Sequence, residues 1–293
     1  MKTFESSEGN VWKYVFDEEF DGAITEAVLY RYGSFKERTV LCISVQSGCP
    51  VGCTFCGTGN KFIRNLTANE IVKQVELAFA DINWKTLEGC KKLQIMFMSM
   101  GEPFMNYNNV AEAIKLLHNV YPHADLLVST IAPCSVWRYG HAFVELSKQI
   151  PQIGLQFSIH ATTDEDRNAI IPYNNKMSLV ELRNYGVSWW QQTGRKPYIN
   201  YCITDDFRQS DEDRLNKLFP SNVFCLTLSV LCSADENMKD AGYRNLVAIR
   251  NIEHRFMGMG YDTRVFDPAG QDDIGGGCGQ LWYVQQYMEK LDA

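Results

Sequence analysis

The sequence predicts an α/β fold: a partial (βα)6 barrel, TIM-like but incomplete, with a small N-terminal β-hairpin extension. Three observations predict it. Six strand-like apolar runs recur between residues 39 and 231, helical patterns separate them, and no break in composition divides the chain. Six βα units fall two short of the number that closes a barrel, and sites in such folds gather at the C-terminal ends of the strands.

The first element is 11–33, VWKYVFDEEFDGAITEAVLYRYG, which predicts the hairpin with its turn near Asp21 and Gly22. Residues 1–37 are assigned to this extension and residues 38–293 to the barrel core, which ends in a cysteine-bearing loop. Core strands are predicted at 39–45, 93–100, 124–130, 153–161, 198–204 and 223–231. A helical pattern follows each of the first five. That at 67–82 opens with Thr67 and Glu70, spaced so that each side chain caps the other's backbone N–H. A sixth helix fits 242–260, and the tail from Tyr261 reads as a strand followed by a loop.

With 293 residues, 45% of them hydrophobic, the chain can fill a sizeable core. It contains no run of eighteen apolar residues, and MKTFESSEGN lacks the basic and apolar regions of an export signal. Cytosolic residence without a membrane partner is therefore expected. The net charge of −7 argues against a surface that grips a polyanion all over. A phosphate-facing rim built from 30–38, Lys61, Arg64, Arg138 and Arg167 remains compatible with it. Ten cysteines are too sparse for a disulfide scaffold, so in a reducing compartment they are thiols or metal ligands. Cys90, Cys134, Cys202 and Cys225 read as structural.

The segment 47–59, SGCPVGCTFCGTG, places Cys49, Cys53 and Cys56 in a Cys-x3-Cys-x2-Cys run directly after the first core strand. Zinc sites pair two Cys-x2-Cys knuckles or add histidines, and no second knuckle exists here. Three thiolates can instead hold three irons of a 4Fe-4S cluster and leave the fourth open. A zinc site with a distant fourth ligand is the other reading the residues allow.

This run, on the loop after the first strand of a partial barrel, resembles the radical S-adenosylmethionine (SAM) superfamily. The resemblance implies that Cys49, Cys53 and Cys56 hold the cluster, whose open iron chelates SAM and cleaves it to a 5'-deoxyadenosyl radical. Phe55 matches the aromatic position beside the SAM adenine. MFMSMGEPFMNYNNV resembles the superfamily's Gly-Glu-Pro strand end, implying that Gly101 and Glu102 meet the SAM amino group. LLVST and LQFSIHA place Ser129, Ser158, Ile159 and His160 at successive strand ends as further SAM contacts.

TVLCISVQSGC, RNAIIPYN and DDIGGGCGQL extend the likeness to the RlmN/Cfr group of methyltransferases, over roughly residues 20–282. That resemblance implies methylation of an sp2 carbon of adenine in RNA. Cys278 takes a methyl group from one SAM, and a radical from a second SAM abstracts hydrogen from it; the resulting methylene adds to the base. Cys42 resolves the adduct through a transient disulfide with Cys278, Glu26 is the general base, and Gly275–Gly277 give the Cys278 loop freedom to move. An electron donor such as flavodoxin or ferredoxin and a thiol reductant are the implied partners. The group's N-terminal accessory domain is expected to be missing. Its basic segment is replaced by Asp267-Pro268, and Cys232 or Ser233 stands near its SAM-contacting asparagine. The residues also admit the same methyl transfer to a small nucleotide, nucleoside or peptide, and a non-catalytic Fe-S binding protein.

Overall fold

The alternation of apolar and polar residues along the core strands decides which side of the sheet is covered. In the computed structural model, which describes residues 1–59, 61–230, 245–266, 274–277, 281, 283–284, 286 and 288, ten strands form one sheet and two more form a separate pair among the described residues. In chain order the N-terminal strands are β1 (Lys2–Glu5), β2 (Val11–Phe16) and β3 (Thr25–Tyr32). The first βα unit is β4 (Arg38–Ile43), a short pair β5 (Gln46–Gly48) and β6 (Phe62–Asn65), and α1 (Ala68–Asp81). Then come β7 (Leu93–Phe97), α2 (Tyr107–Val120), β8 (Asp125–Thr130), α3 (Val136–Gln149) and β9 (Ile153–Ser158). The rest are α4 (Asp164–Ile170), α5 (Leu179–Thr193), β10 (Tyr198–Cys202), α6 (Gln209–Leu218), β11 (Cys225–Ser229), α7 (Leu246–Gly258) and β12 (Thr263–Phe266).

The sheet order is β1-β2-β3-β4-β7-β8-β9-β10-β11-β12. β1 to β4 pair antiparallel; from β4 to β12 every pairing is parallel. The N-terminal strands thus share one sheet with the core, through β3 against β4. The tail strand, β12, adds a seventh parallel position beside β11. Thr67 and Glu70 cap α1 reciprocally, with Thr67 N–H donating to Glu70 Oε2 at 2.8 Å and Glu70 N–H to Thr67 Oγ1 at 3.3 Å.

Strand geometry sends alternate residues to opposite faces. Leu41 and Ile43 of β4, Ile95 and Phe97 of β7, and Leu226 and Leu228 of β11 enter the main core, to which the helices contribute Ile71, Val75, Ile114, Phe143, Leu182 and Ile249. Fully burying each such side chain stabilises the fold by about 1.5–3 kcal/mol. Val40, Cys42, Met96 and Leu127 point the other way, into a second apolar cluster with Val11, Val28, Leu281 and Val284. Further along the sheet this face turns polar, with Ser129, Gln156, Asn200, Thr227 and Ser229. Tyr30 of β3 meets Phe266 of β12 edge to face at 6.0 Å between ring centroids, although six strands stand between them in the sheet order. Among the described residues no helix is long and apolar enough to cross a membrane.

Candidate active site

The cysteine run lies between β5 and β6, which pair antiparallel. Gly48 makes the turn into it: its φ is +75°, and a Cβ there would sit 2.0 Å from the Lys61 carbonyl oxygen. That carbonyl accepts the Cys49 N–H at 2.6 Å, and turn bonds from Cys56 N–H to Cys53 O and from Gly59 N–H to Cys56 O fold the rest of the run. Val51, Ile131 and Ile171 form an apolar shell against Cys49, Cys53 and Phe55.

An open cleft brings Cys49, Cys53 and Cys56 together with residues of β8, β9 and β10 and the segment after β7. Gly101, Glu102, Ser129, Ser158, His160 and Phe55 all line it. Gly101 is held at φ +96°, where a Cβ would lie 2.6 Å from the Cβ of Gln46. The Gln46 amide oxygen accepts the Glu102 N–H at 2.9 Å.

The Glu102 carboxylate is buried and anchored by three donors: Phe104 N–H at 3.0 Å, Thr130 Oγ1 at 2.6 Å and Ile131 N–H at 2.9 Å. Burial pushes its pKa up to about 7 against the pull of those donors. Ser129 and Ser158 hydroxyls lie 3.2 Å apart. His160 has φ +53°, and its Nδ1 accepts the Cys202 N–H at 3.1 Å, which leaves the proton on Nε2. Burial, aided by Arg167, pushes its pKa down to about 3, so the ring is a neutral donor, edge-on to Phe55 with centroids 4.9 Å apart. Ile159 is not among the residues lining the cleft; fully buried in the helix-covered core, it lies on the opposite face of the chain from Ser158.

The donors fit an iron-sulfur cluster and SAM on two observations. Cys49, Cys53 and Cys56 line one cleft, and burial pushes the Cys49 thiol up to about 12, a shift that a bound cation would oppose. Separate thiols on one loop match a cluster in which each sulfur takes its own iron. In the cleft wall, Ser99 Oγ is buried with no hydrogen-bond partner among the described residues, the condition a polar ligand would relieve.

A second group of expected residues sits off the cleft. Glu26 and Lys13 are both 0% exposed and pair at 2.8 Å, with Tyr283 N–H donating to the other carboxylate oxygen at 3.0 Å. Burial raises the Glu26 pKa above its usual range, and Lys13 and the Tyr283 amide partly offset that rise. Lys13 Nζ also donates to the Gly275 carbonyl at 3.1 Å, and the Tyr30 hydroxyl donates to the Gly276 carbonyl. Cys42 is buried on the same face, in register with Val28 of β3 and Met96 of β7. Thr58 Oγ1, at the end of the cysteine run, donates to the Leu281 carbonyl at 3.2 Å. Cys278 itself, like Cys232, Ser233 and Asp267-Pro268, lies outside the described residues.

The phosphate-facing rim is corrected at two positions. Arg167 is 1% exposed, its guanidinium donating to the Met177 and Ile131 carbonyls at 2.7 and 2.6 Å. Arg64 is committed to Glu70 at 2.7 Å and to the Asp21 carbonyl. Gln46, Thr130 and Asn200 are the site residues that sequence reasoning missed, since single polar residues at strand ends carry no spacing signal.

No family model matches the chain. It is similar to a probable dual-specificity RNA methyltransferase RlmN of Pseudothermotoga lettingae, 32% identical over 281 residues, covering 94% of this chain and 77% of that protein. A protein of the same description from Heliobacterium modesticaldum is 32% identical over 270 residues, covering 89% and 68%. A radical SAM methyltransferase from Sphaerobacter thermophilus, known by crystal structure, superposes with a TM-score of 0.80 at 28% identity, covering 96% of this chain and 80% of that one. Streptococcus suis SuiB bound to S-adenosylmethionine, at a TM-score of 0.57 and 14% identity over 80% of this chain and 51% of its own, shares the fold alone.

Proposed function

Because the chain belongs to the RlmN family of radical SAM RNA methyltransferases, we propose that it methylates an sp2 carbon of adenine in RNA, with Cys278 carrying the methyl group and Cys42 resolving the product. The observation that carries this reading is the attachment of the glycine loop. Lys13 holds the Glu26 carboxylate and the Gly275 carbonyl at once, so the residues just before Cys278 are docked beside Glu26, on the face that bears Cys42.

In this reading Cys49, Cys53 and Cys56 hold the 4Fe-4S cluster. Gly101, Glu102, Ser129, Ser158 and the neutral His160 position SAM, with Glu102 facing its ammonium group. The cluster and SAM, when bound, supply the methyl group and the radical. The chain's own residues do the rest. The apolar shell of Val51, Ile131 and Ile171 keeps water from the cysteine loop. Glu26, its basicity raised by burial, accepts the proton that leaves the adenine carbon. Cys42 and Cys278 close the cycle as a disulfide, which a thiol reductant reopens. An electron donor of the flavodoxin or ferredoxin kind feeds the cluster, and the reading places the protein in the cytosol with its RNA substrate.

The contact of Tyr30 with Phe266 across the ends of the parallel strands supports a sheet curled into a partial barrel. Residues 1–37 then serve as an extension and 38–293 as the barrel core. The test is peptide mass spectrometry of the cluster-reconstituted protein after incubation with SAM. One added methyl group is expected on the Cys278 peptide, and Cys278→Ala is expected to form 5'-deoxyadenosine without methylated product. An unmodified Cys278 in protein that still cleaves SAM would refute the carrier role.

A further inference from the structure

The polar stretch of the sheet face opens into a second cleft of roughly 940 Å³, which shares Met98 and Asn200 with the first. Three arginines line it: Arg38 at the start of β4, Arg264 on β12 and Arg250 on α7. Arg250 has its counter-charge, Glu253 Oε2 at 2.7 Å. Among the described residues the other two have none. Arg264 donates from Nε to Thr227 Oγ1 at 2.7 Å and from Nη2 to Gln156 Oε1 at 2.6 Å, with its guanidinium 4.3 Å from the Tyr198 ring centroid. Arg38 donates from Nε to Gln94 Oε1 at 3.0 Å and lies 4.5 Å from the Tyr32 ring centroid. Every one of these partners is neutral.

Among the described residues, neither Arg38 nor Arg264 makes an ion pair and no carboxylate lines the cleft. Asp125, the acid that senses Arg38, shares the Gln94 amide at 3.4 Å instead. Burial holds the Arg264 pKa below its usual value; Tyr198 opposes the fall and Arg38 adds to it. A desolvated guanidinium without a counter-ion is unfavourable, and its fork of donors matches the oxygens of a phosphate. Tyr32 and Phe266, also in the lining, offer flat apolar surface on which a base can rest.

We propose that Arg38 and Arg264 form a phosphate-binding subsite for a nucleotide, opening beside the candidate active site. That the ligand is a nucleotide rests on the RNA methyltransferase reading; capture of a phosphate by the two guanidiniums does not.

Calorimetric titration of the cluster-reconstituted protein with adenosine 5'-monophosphate and with adenosine tests it. The phosphate is expected to tighten binding by about tenfold, an advantage that shrinks as salt is raised. Arg38→Gln/Arg264→Gln is expected to abolish the advantage, whereas Arg38→Lys/Arg264→Lys, which preserves the charges, keeps part of it and separates lost charge from lost fold. A 5'-hydroxyl triribonucleotide distinguishes the source. Arginine-dependent binding of both ligands assigns the site to a phosphate within RNA, and of the monophosphate alone to a free nucleotide. Equal affinity for adenosine and its monophosphate, or an undiminished preference in the glutamine variant, overturns the subsite. The methyl on the Cys278 peptide is scored separately, so that methylation without phosphate preference removes the subsite and leaves the function, and phosphate preference without methylation does the reverse.

Discussion

Lys13→Met leaves the Glu26 carboxyl fully buried beside an apolar side chain of similar length, with the Tyr283 amide N–H still donating to it. Stripping one partner from a buried ion pair typically costs about 3–5 kcal/mol. Unfolding a chain of 293 residues has an entropy on the order of 0.6 kcal/mol per kelvin, so the melting temperature should fall by roughly 5–8 °C. The deficit depends on pH in a defined direction. Burial already raises the Glu26 pKa, and removing Lys13, which lowers it, sends it higher still. A carboxyl whose folded-state pKa is raised contributes stability that is present below its unfolded pKa and is lost as pH rises through the folded value. The variant should therefore lose more at about pH 8 than at about pH 5.5. Thermal melts followed by circular dichroism at both pH values, with Glu26→Gln and the double variant, supply the assay. Lys13→Met/Glu26→Gln should recover most of the loss, because a neutral amide needs no counter-charge. A melting temperature unchanged by Lys13→Met, or a double variant as unstable as the sum of the singles, would refute the reasoning.

Gly48→Ala forces a Cβ to within 2.0 Å of the Lys61 carbonyl at a positive φ, so the cysteine loop should lose its shape and the iron bound per chain should fall by at least about half, read by colorimetric iron assay. Gly101→Ala pushes against Gln46, which orients the Glu102 backbone, and equilibrium binding should show SAM affinity weakened by about tenfold or more. Ser99→Ala removes the unpartnered hydroxyl of the cleft wall; SAM affinity about threefold to tenfold weaker would show that the ligand takes this bond, and unchanged affinity that it does not. Cys42→Ala should accumulate a covalent enzyme-RNA adduct on denaturing gels, and clean turnover would remove Cys42 from the mechanism.

The parts of the fold legible in the sequence were those in which local pattern and tertiary role agree. The capped helix α1 and the Val/Leu/Ile runs of β4 and β8 announce themselves because burial on the helix-covered face demands them. β1, β5 and β6, of three or four residues each, carry no such pattern; the last two exist because Gly48 lets the chain turn back against Lys61. The cysteines and the Gly-Glu-Pro strand end, singled out by their spacing, come together in one cleft. Ile159 falls elsewhere: a strand's alternation puts it opposite Ser158, in the core, and brings His160 back to the cleft. Arg167, taken for a surface charge, is buried because two backbone carbonyls need its guanidinium. Arg38 and Arg264 stand at opposite ends of the core strands in sequence, and no spacing pattern announces that they line one cleft.

The hydrogen bond from Thr58 to Leu281 joins residues 223 positions apart, and the contacts of Lys13 and Tyr30 with Gly275 and Gly276 span even more of the chain. On a ribosome adding about 5–20 residues per second, the cysteine loop emerges roughly 10–45 s before the segment that will dock on it. During that interval the loop and the Lys13–Glu26 pair stand without their last cover. A chain stalled before residue 275 would leave the end of the cysteine loop without that contact, and its thiols more open to oxidation than in the finished fold.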